Sequence, residues 1–191
     1  LRHSTDKYAI SKPCRSINGV KLLRQIIRFQ VITWLHVAAG LLLFIAMDKP
    51  VKKQFWLIKS EPSAWSWDEQ VRTGAKGTFW SGVRNHLAKR NLMAMRLGDE
   101  CFFYHSNEGK DIVGIVEVIR EHYPDPTAEK GEPWVVVDVK AKKPVPKPVT
   151  LADVKAEPKL SKMSLLTSAR LSVQPVTENE WNLICKMGGI K

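Results

Sequence analysis

Residues 79–95 contain the side chains in this sequence that are best suited to bind a planar, polar ligand. The aromatic pair Phe79 and Trp80 leads into a Ser-Gly turn, which is followed by Arg84 and Asn85. Because Gly82 lets the backbone turn sharply, the side chains of Trp80, Arg84 and Asn85 can project from one short connection. An aromatic face, a cation and an amide together suit such a ligand. An equally open interpretation is that Trp80 packs in the core and Arg84 is a surface charge.

A helix is predicted directly after this turn. Asn85 is a suitable N-cap because its short side chain can accept a hydrogen bond from a backbone N–H of the first helical turn. A largely apolar stripe then follows at helical spacing and comprises Leu87, Ala88, Asn91, Leu92 and Met95. Gly98 is expected to end the helix in a left-handed conformation.

Motifs of the common catalytic and metal sites are missing from the sequence. It contains no GxSxG, P-loop or GxGxxG pattern. The three cysteines, Cys14, Cys101 and Cys185, are too widely spaced to indicate a zinc site or a disulfide framework. On one strand Cys101 and His105 would lie about 13 Å apart, too far to share a metal. His105 and Ser106 would point to opposite faces of that strand, so we expect no catalytic residues, metal or cofactor.

Net charge is unevenly distributed along the 191 residues. Residues 1–46 contain seven Lys and Arg against one Asp, which gives +6 of the total +11. The remaining 145 residues contain 23 Lys and Arg against 18 Asp and Glu, or +5. This mild excess favours a polyanionic partner without requiring one.

An uncharged apolar run occupies residues 31–47. It is short for a spanning helix, which needs about 20 residues, and long for a signal-peptide core of about 7–15 residues. Met47 stands just before a strong strand pattern, so we expect Met47 to be the natural start and residues 1–46 to be a non-domain extension. A membrane anchor in residues 31–47 is the alternative.

From Gln54 onward the pattern is that of an α+β domain with several short strands. Strands are predicted at 55–59, 100–105, 112–120, 133–142 and 171–173, and the proline-rich residues 143–150 are expected to be extended at a sheet edge. Helices are predicted at 66–71, 151–155 and 177–187, with Ser66 and Thr177 as N-caps. Gly114 within a strand suggests a bulge or a close backbone approach. Five or so strands with few helices favour a small barrel.

Four motifs in order resemble the EVE domain family. They are FWLIKSEP at 55–62, WSGVRN at 80–85, Gly98-Asp99 with FFYHSN at 102–107, and RLSVQP at 170–175. The resemblance covers about residues 54–189 and implies an EVE domain over 47–191. It implies an α+β, PUA-like small mixed barrel of about five or six strands with short flanking helices.

The same resemblance implies a non-enzymatic reader that flips a modified base, chiefly 5-methylcytosine or another modified cytosine in DNA, into an aromatic pocket. We expect Trp80 to be the stacking wall, with Trp56 or Tyr104 as a second wall. Candidates for the base edge are Lys59, Ser60, Glu61, Asn85, Ser106 and Ser172. Core packing is the alternative role for Trp56, and Trp65 and Trp67 are expected to cover the open end of the barrel.

Arg84, Lys89 and Arg90 are the expected phosphate contacts. The family commonly has Ala-Arg-Asn where this sequence has Ala88, Lys89 and Arg90, so no specific hydrogen bond is transferred to the last two positions. The expected partner is a nucleic acid, with DNA ahead of RNA, and neither a metal nor a membrane is expected. The expected setting is the cytoplasm of a bacterium. The alternatives are an enzyme that modifies a nucleotide or an RNA base, and a membrane-tethered accessory protein.

Overall fold

Six strands form one mixed sheet in the computed structural model, which describes residues 52–190. The strands are β1 (Phe55–Ser60), β2 (Thr78–Phe79), β3 (Glu100–His105), β4 (Asp111–Pro124), β5 (Val135–Thr150) and β6 (Val173–Val176). Their order across the sheet is β2-β5-β4-β3-β1-β6. Strands β1 and β3 run parallel, and every other neighbouring pair is antiparallel.

Five short α-helices accompany the sheet in the described part of the chain. They are α1 (Trp67–Arg72), α2 (His86–Ala94), α3 (Leu151–Ala156), α4 (Ser164–Thr167) and α5 (Glu178–Met187). Single 3₁₀ turns lie at Gly74–Lys76 and Pro158–Leu160. The expected α+β fold with about six strands and short helices is therefore confirmed. None of the helices within residues 52–190 is long and apolar enough to cross a membrane. The predicted non-domain extension at residues 1–46 and the alternative membrane anchor at residues 31–47 lie outside the described residues.

The two faces of the sheet pack against separate hydrophobic clusters. Trp56 and Ile58 of β1 point to the first cluster, which also contains Phe103 and the buried face of α2. Leu57 points to the second cluster, where Phe102 stacks on Trp181 of α5. This division follows from the alternation of side chains along a strand. The structure thus fixes which aromatic residues can reach the first cluster and which cannot.

Local capping predictions are confirmed. Ser66 and Glu69 form the reciprocal capping box of α1, and Thr177 and Glu180 form that of α5. Asn85 caps α2, since its Oδ1 accepts hydrogen bonds from two N–H groups of the first turn at 2.9 and 3.0 Å. Each of these caps uses only neighbouring residues, so sequence alone was sufficient to find them.

The predicted stripe and end of helix α2 were partly wrong. Leu87 is 45% exposed, and the buried face consists of Ala88, Leu92 and Met95. The helix ends at Ala94 with Met95 as its C-cap, before Gly98 is reached. Gly98 has a φ of +83° in the turn that leads to β3. The left-handed conformation of Gly98 was predicted correctly, but it occurs in this turn and does not end the helix.

Gly114 makes a close approach, as its position within a strand suggested. A Cβ on Gly114 would lie 2.2 Å from Cζ3 of Trp67, which packs directly over the strand. The pairing register between β4 and β5 also shifts between Ile112 and Gly114. A glycine is required here because any side chain would displace the indole.

Two strand predictions changed at their boundaries. The strand predicted at 133–142 and the proline-rich residues 143–150 belong to the single strand β5, which begins at Val135. Beyond Val139, β5 pairs only with β4 among the described strands. The proline-rich half therefore lies at a sheet edge, as expected. Strand β6 runs from Val173 to Val176, so it begins later than the strand predicted at 171–173 and includes Pro175. Pro175 is tolerated because β6 is an edge strand.

Candidate functional site

A cavity of about 390 Å³ opens where β1, β2 and the segment before β6 come together. We call it the aromatic cavity, and its lining residues are Lys59, Ser60, Ala64, Trp65, residues 78–83 and Ser172. Its volume falls within the range of about 300–1,000 Å³ that is usual for small-ligand sites. The cavity combines several aromatic side chains with a few polar groups, as such sites commonly do.

Trp80 is one wall of the aromatic cavity and is also part of the core. Its side chain is only 6% exposed and packs edge-on against Phe103, with ring centroids 5.5 Å apart. Its backbone N–H donates to the carbonyl of Val137 at 2.8 Å, which extends the pairing of β2 with β5. Gly82, at a φ of +78°, then turns the chain away. The two roles that the sequence left open for Trp80, ligand wall and core residue, are structurally compatible.

Trp65 is a second aromatic wall, held in place by a buried amide. The indole Nε1–H of Trp65 donates to Oε1 of Gln70 at 3.0 Å. Gln70 is fully buried, and its Nε2 donates to the carbonyl of Val139 in β5 at 3.1 Å. Because both ends of the amide are satisfied, the orientation of Trp65 is tied to the sheet. Phe79, 40% exposed, lines the mouth of the same cavity.

Lys59, Ser60 and Ser172 supply the polar groups of the cavity. The backbone N–H of Lys59 donates to the carbonyl of Ser172, and its Nζ donates to the carbonyl of Ala169, both at 2.9 Å. Burial lowers the pKa of the Lys59 ammonium group. The Ser60 hydroxyl donates only a long hydrogen bond, 3.3 Å, to the carbonyl of Glu61. The Ser60 hydroxyl can therefore turn toward a ligand without leaving a strong internal partner, whereas the Lys59 ammonium is held by Ala169 and lies 5.5 Å from the ring centroid of Tyr104.

Several predicted pocket residues lie elsewhere. Trp56 is buried at the other end of β1, and its Nε1–H donates to Asp99 at 3.0 Å. Tyr104 is buried in the second core cluster, on the opposite face of the sheet from Trp80. Glu61 is exposed and accepts a hydrogen bond from Asn107. Ser106 does not line the cavity, although its backbone N–H donates to the carbonyl of Ser60.

The Arg84-Asn85 pair is engaged in structural contacts beside the cavity. Nη1 of Arg84 lies 2.8 Å from Oδ2 of Asp125, whose side chain is fully buried. The guanidinium also lies 5.7 Å from the ring centroid of Trp134. The carbonyl oxygen of the Asn85 side chain is used by the cap of α2. Arg84 thus joins the loop after Trp80 to the loop between β4 and β5.

Lys89 and Arg90 lie on helix α2, away from the cavity lining. Arg90 is exposed and Lys89 is half-buried. Neither forms an ion pair with another residue in the range 52–190. Their positive charges are therefore not neutralised by a neighbouring carboxylate in that range.

His105 does not have the geometry of a catalytic base. Its Nε2 accepts the backbone N–H of Trp67 at 3.2 Å, and its Nδ1 faces Asp111 at 3.7 Å. Burial lowers the pKa of His105, and the carboxylates of Asp111 and Asp68 offset part of this lowering. Cys101 is fully buried, and that burial raises the pKa of its thiol. Among residues 52–190 no three His, Cys, Asp or Glu side chains are grouped to hold a metal ion.

Of the three aromatic side chains that line the cavity, Trp65 and Phe79 were missed by the sequence analysis. Trp65 had been assigned to the cover of the barrel, and Phe79 had been noted only as the neighbour of Trp80. A local signal for Trp65 did exist, because it directly precedes the capping box of α1 and is therefore held at the start of a fixed helix. Its partner Gln70 is a buried amide within that helix.

Known proteins resemble this chain in both sequence and fold. A model of the EVE domain family matches residues 54–187. Thymocyte nuclear protein 1 of Homo sapiens is 33% identical over 163 residues, which span 69% of this chain and 72% of that protein. A solved protein from Agrobacterium tumefaciens has 57% identity and a TM-score of 0.71, and the match covers 72% of this chain and 94% of that one. Human THYN1, solved in complex with DNA that contains 5-methylcytosine, has 30% identity and a TM-score of 0.67 over 73% of this chain and 99% of its own. The chain with the aromatic cavity described above therefore belongs to the EVE domain family.

Proposed function

We propose that this protein is a non-catalytic reader of nucleic acid that takes one modified base into the aromatic cavity. The observation that carries the proposal is the arrangement of Trp65, Trp80 and Phe79 around a space of about 390 Å³ that also presents Lys59, Ser60 and Ser172. A base removed from its stack loses its neighbours and needs aromatic surfaces to replace them. Stacking on such a surface contributes about 1–3 kcal/mol per base.

Modified cytosine in DNA is the ligand that we put first. Human THYN1, which has the same fold, binds DNA that contains 5-methylcytosine. In the present chain the apolar walls suit an added methyl group, because burying a methyl gains about 0.8 kcal/mol. The hydroxyls of Ser60 and Ser172 can serve the polar edge of the ring, because a hydroxyl is both a donor and an acceptor.

The enzyme alternative is not favoured by any group in the cavity. Ser60 and Ser172 line it without a histidine beside them, since the lining contains no His, Cys, Asp or Glu. Nucleophilic catalysis requires a nucleophile within hydrogen-bond reach of a base. His105, whose Nε2 accepts the N–H of Trp67, does not line the cavity.

Substitution of Trp65 by leucine tests the proposal. We expect the affinity for an oligonucleotide with one 5-methylcytosine to fall by about tenfold or more, because one stacking surface is lost. The affinity for the matched plain oligonucleotide should change much less, so the preference for the modified strand should largely disappear. Fluorescence anisotropy titrations at one fixed salt concentration give both values.

Trp134→Leu is the matched control, because Trp134 is also half-buried but does not line the cavity. This variant should keep the preference for the modified base. Equal affinities of Trp65→Leu and the unaltered chain for the modified strand would show that Trp65 is not a wall of the binding site.

A further inference from the structure

A second cleft lies beside the aromatic cavity, separated from it by a short stretch of chain. It has a volume of about 370 Å³ and is lined by Asn85, Leu87 and residues 167–171. Ser172, the next residue, lines the aromatic cavity. Lys59 connects the two openings, because it lines the aromatic cavity and its Nζ donates to the carbonyl of Ala169 in the cleft. The cleft and the aromatic cavity are therefore adjacent along residues 171–172.

The cleft has the chemistry of an anion site. Arg170 is exposed and forms no ion pair with another described residue. The backbone N–H groups of Ala169 and Arg170 donate no hydrogen bond within residues 52–190. Thr167 and Ser168 lie in the same wall, although the Thr167 hydroxyl donates a hydrogen bond of 3.3 Å to the carbonyl of Met163, and none of the lining residues is acidic. Guanidinium, amide and hydroxyl donors are the groups that contact phosphate oxygens in nucleic-acid complexes.

We propose that this cleft, called here the Arg170 cleft, binds the phosphodiester backbone next to the base held in the aromatic cavity. This inference rests on the proposed function insofar as it places a modified base in the aromatic cavity. The phosphate contact in the cleft does not depend on that base. Phosphate contacts fix the register of a strand and carry no sequence information. The Arg170 cleft therefore supplies affinity for any strand, and the aromatic cavity supplies the preference for the modified base.

This assignment changes the expected phosphate contacts. Arg84, which the sequence analysis placed first among them, has Nη1 bound to the buried carboxylate of Asp125. Arg170 has no such partner within the described residues and lies on the segment that borders the cavity. A cation without a carboxylate partner contributes its full charge to the displacement of counterions from the strand.

Arg170→Gln tests the cleft with a plain oligonucleotide, which does not depend on recognition of a modified base. Removal of one phosphate contact should lower the affinity by about tenfold near ~0.1 M salt and reduce the slope of log K against log salt by about one. The affinity for the strand with 5-methylcytosine should fall by the same factor, so that the preference between the two strands is retained. Anisotropy titrations at several salt concentrations measure both quantities.

Lys186→Gln is the control, because it removes one exposed charge on α5 that does not line the cleft. It should leave the salt slope nearly unchanged. An unchanged slope and affinity in Arg170→Gln, or the same effect in both variants, would overturn the assignment of the cleft. Loss of the preference between strands, with the salt slope of the unaltered chain retained, would instead mean that Arg170 contacts the base. A different result would separate the two proposals: the unaltered chain binds the plain strand, Arg170→Gln weakens that binding, and neither prefers a modified base. In that case the proposed function is wrong, and the assignment of the Arg170 cleft is supported.

Discussion

Replacement of Trp80 by alanine is expected to lower the free energy of unfolding by about 3–5 kcal/mol, the usual cost of removing a buried aromatic side chain. The indole is 6% exposed and packs on Phe103 and the first core cluster, so its loss leaves a void that the neighbours cannot fill. Urea denaturation followed by circular dichroism measures the change through the transition midpoint and slope.

Phe79→Ala is the control for this experiment. Phe79 precedes Trp80 in the chain and lines the same cavity but is 40% exposed, so its removal should cost no more than about 1–2 kcal/mol. Equal losses in the two variants would contradict the description of Trp80 as a core residue. The expected instability of Trp80→Ala also means that loss of binding in this variant alone would not identify a ligand contact, which is why Trp65 is the better position for binding tests.

The second large effect is expected at the ion pair of Arg84 with Asp125. Arg84→Met should lower the free energy of unfolding by about 2 kcal/mol, because it leaves a buried carboxylate with one strong partner fewer. The value is placed below that of a fully buried pair because Arg84 is 38% exposed and water can partly replace it. Urea denaturation at neutral pH measures the loss.

The same pair predicts a dependence on pH. Burial alone would raise the pKa of Asp125, but hydrogen bonds from Thr127 and Arg84 more than offset this, and the pKa lies below its ordinary value. A carboxyl whose pKa is lowered by folding contributes stability above its unfolded pKa of about 3.9, and this contribution is lost as the pH falls through the folded-state pKa. In Arg84→Met the folded-state pKa of Asp125 should rise toward its unfolded value. Acidification should therefore destabilise this variant less through Asp125 than it destabilises the unaltered chain.

Asp125→Asn provides the control through a double-mutant cycle. In that background the carboxylate is absent, so Arg84→Met should cost well under about 1 kcal/mol. The same cost of Arg84→Met with and without the carboxylate would show that the ion pair does not account for the stabilisation. A further consequence of an intact pair is that the loop after Trp80 stays joined to the loop between β4 and β5.

Features set by neighbouring residues were predictable from the sequence. The capping boxes at Ser66 and Thr177 and the cap at Asn85 each depend on residue types in a local pattern, and a glycine at 114 within a strand pattern indicated a close approach without its partner. The family resemblance gave the fold class, and Trp80 was placed beside a cavity because it precedes a glycine turn. These features needed no knowledge of contacts between distant residues.

The second wall of the cavity depended on contacts that the sequence does not display. Trp56 and Tyr104 are strand aromatics, but Trp56 lies about 10 Å along β1 from Lys59 and Tyr104 points to the opposite face. Trp65 reaches the cavity because Gln70 bridges it to β5, a contact across 69 residues of sequence. The partner of Arg84 is likewise 41 residues away. Local patterns cannot identify such partners, so the roles of Trp65 and Arg84 became apparent only in the fold.

The most direct test of the aromatic cavity as a base site is an NMR titration of the indole N–H signals of Trp65 and Trp80. Addition of an oligonucleotide with one 5-methylcytosine should shift both signals, because ring currents of a base stacked between the two indoles act on them directly. The matched plain oligonucleotide should leave them nearly unchanged while backbone amides around Arg170 shift with either strand. Equal responses of both indoles to the two strands, or shifts confined to tryptophans outside the cavity such as Trp134, would contradict the proposal that this cavity reads a modified base.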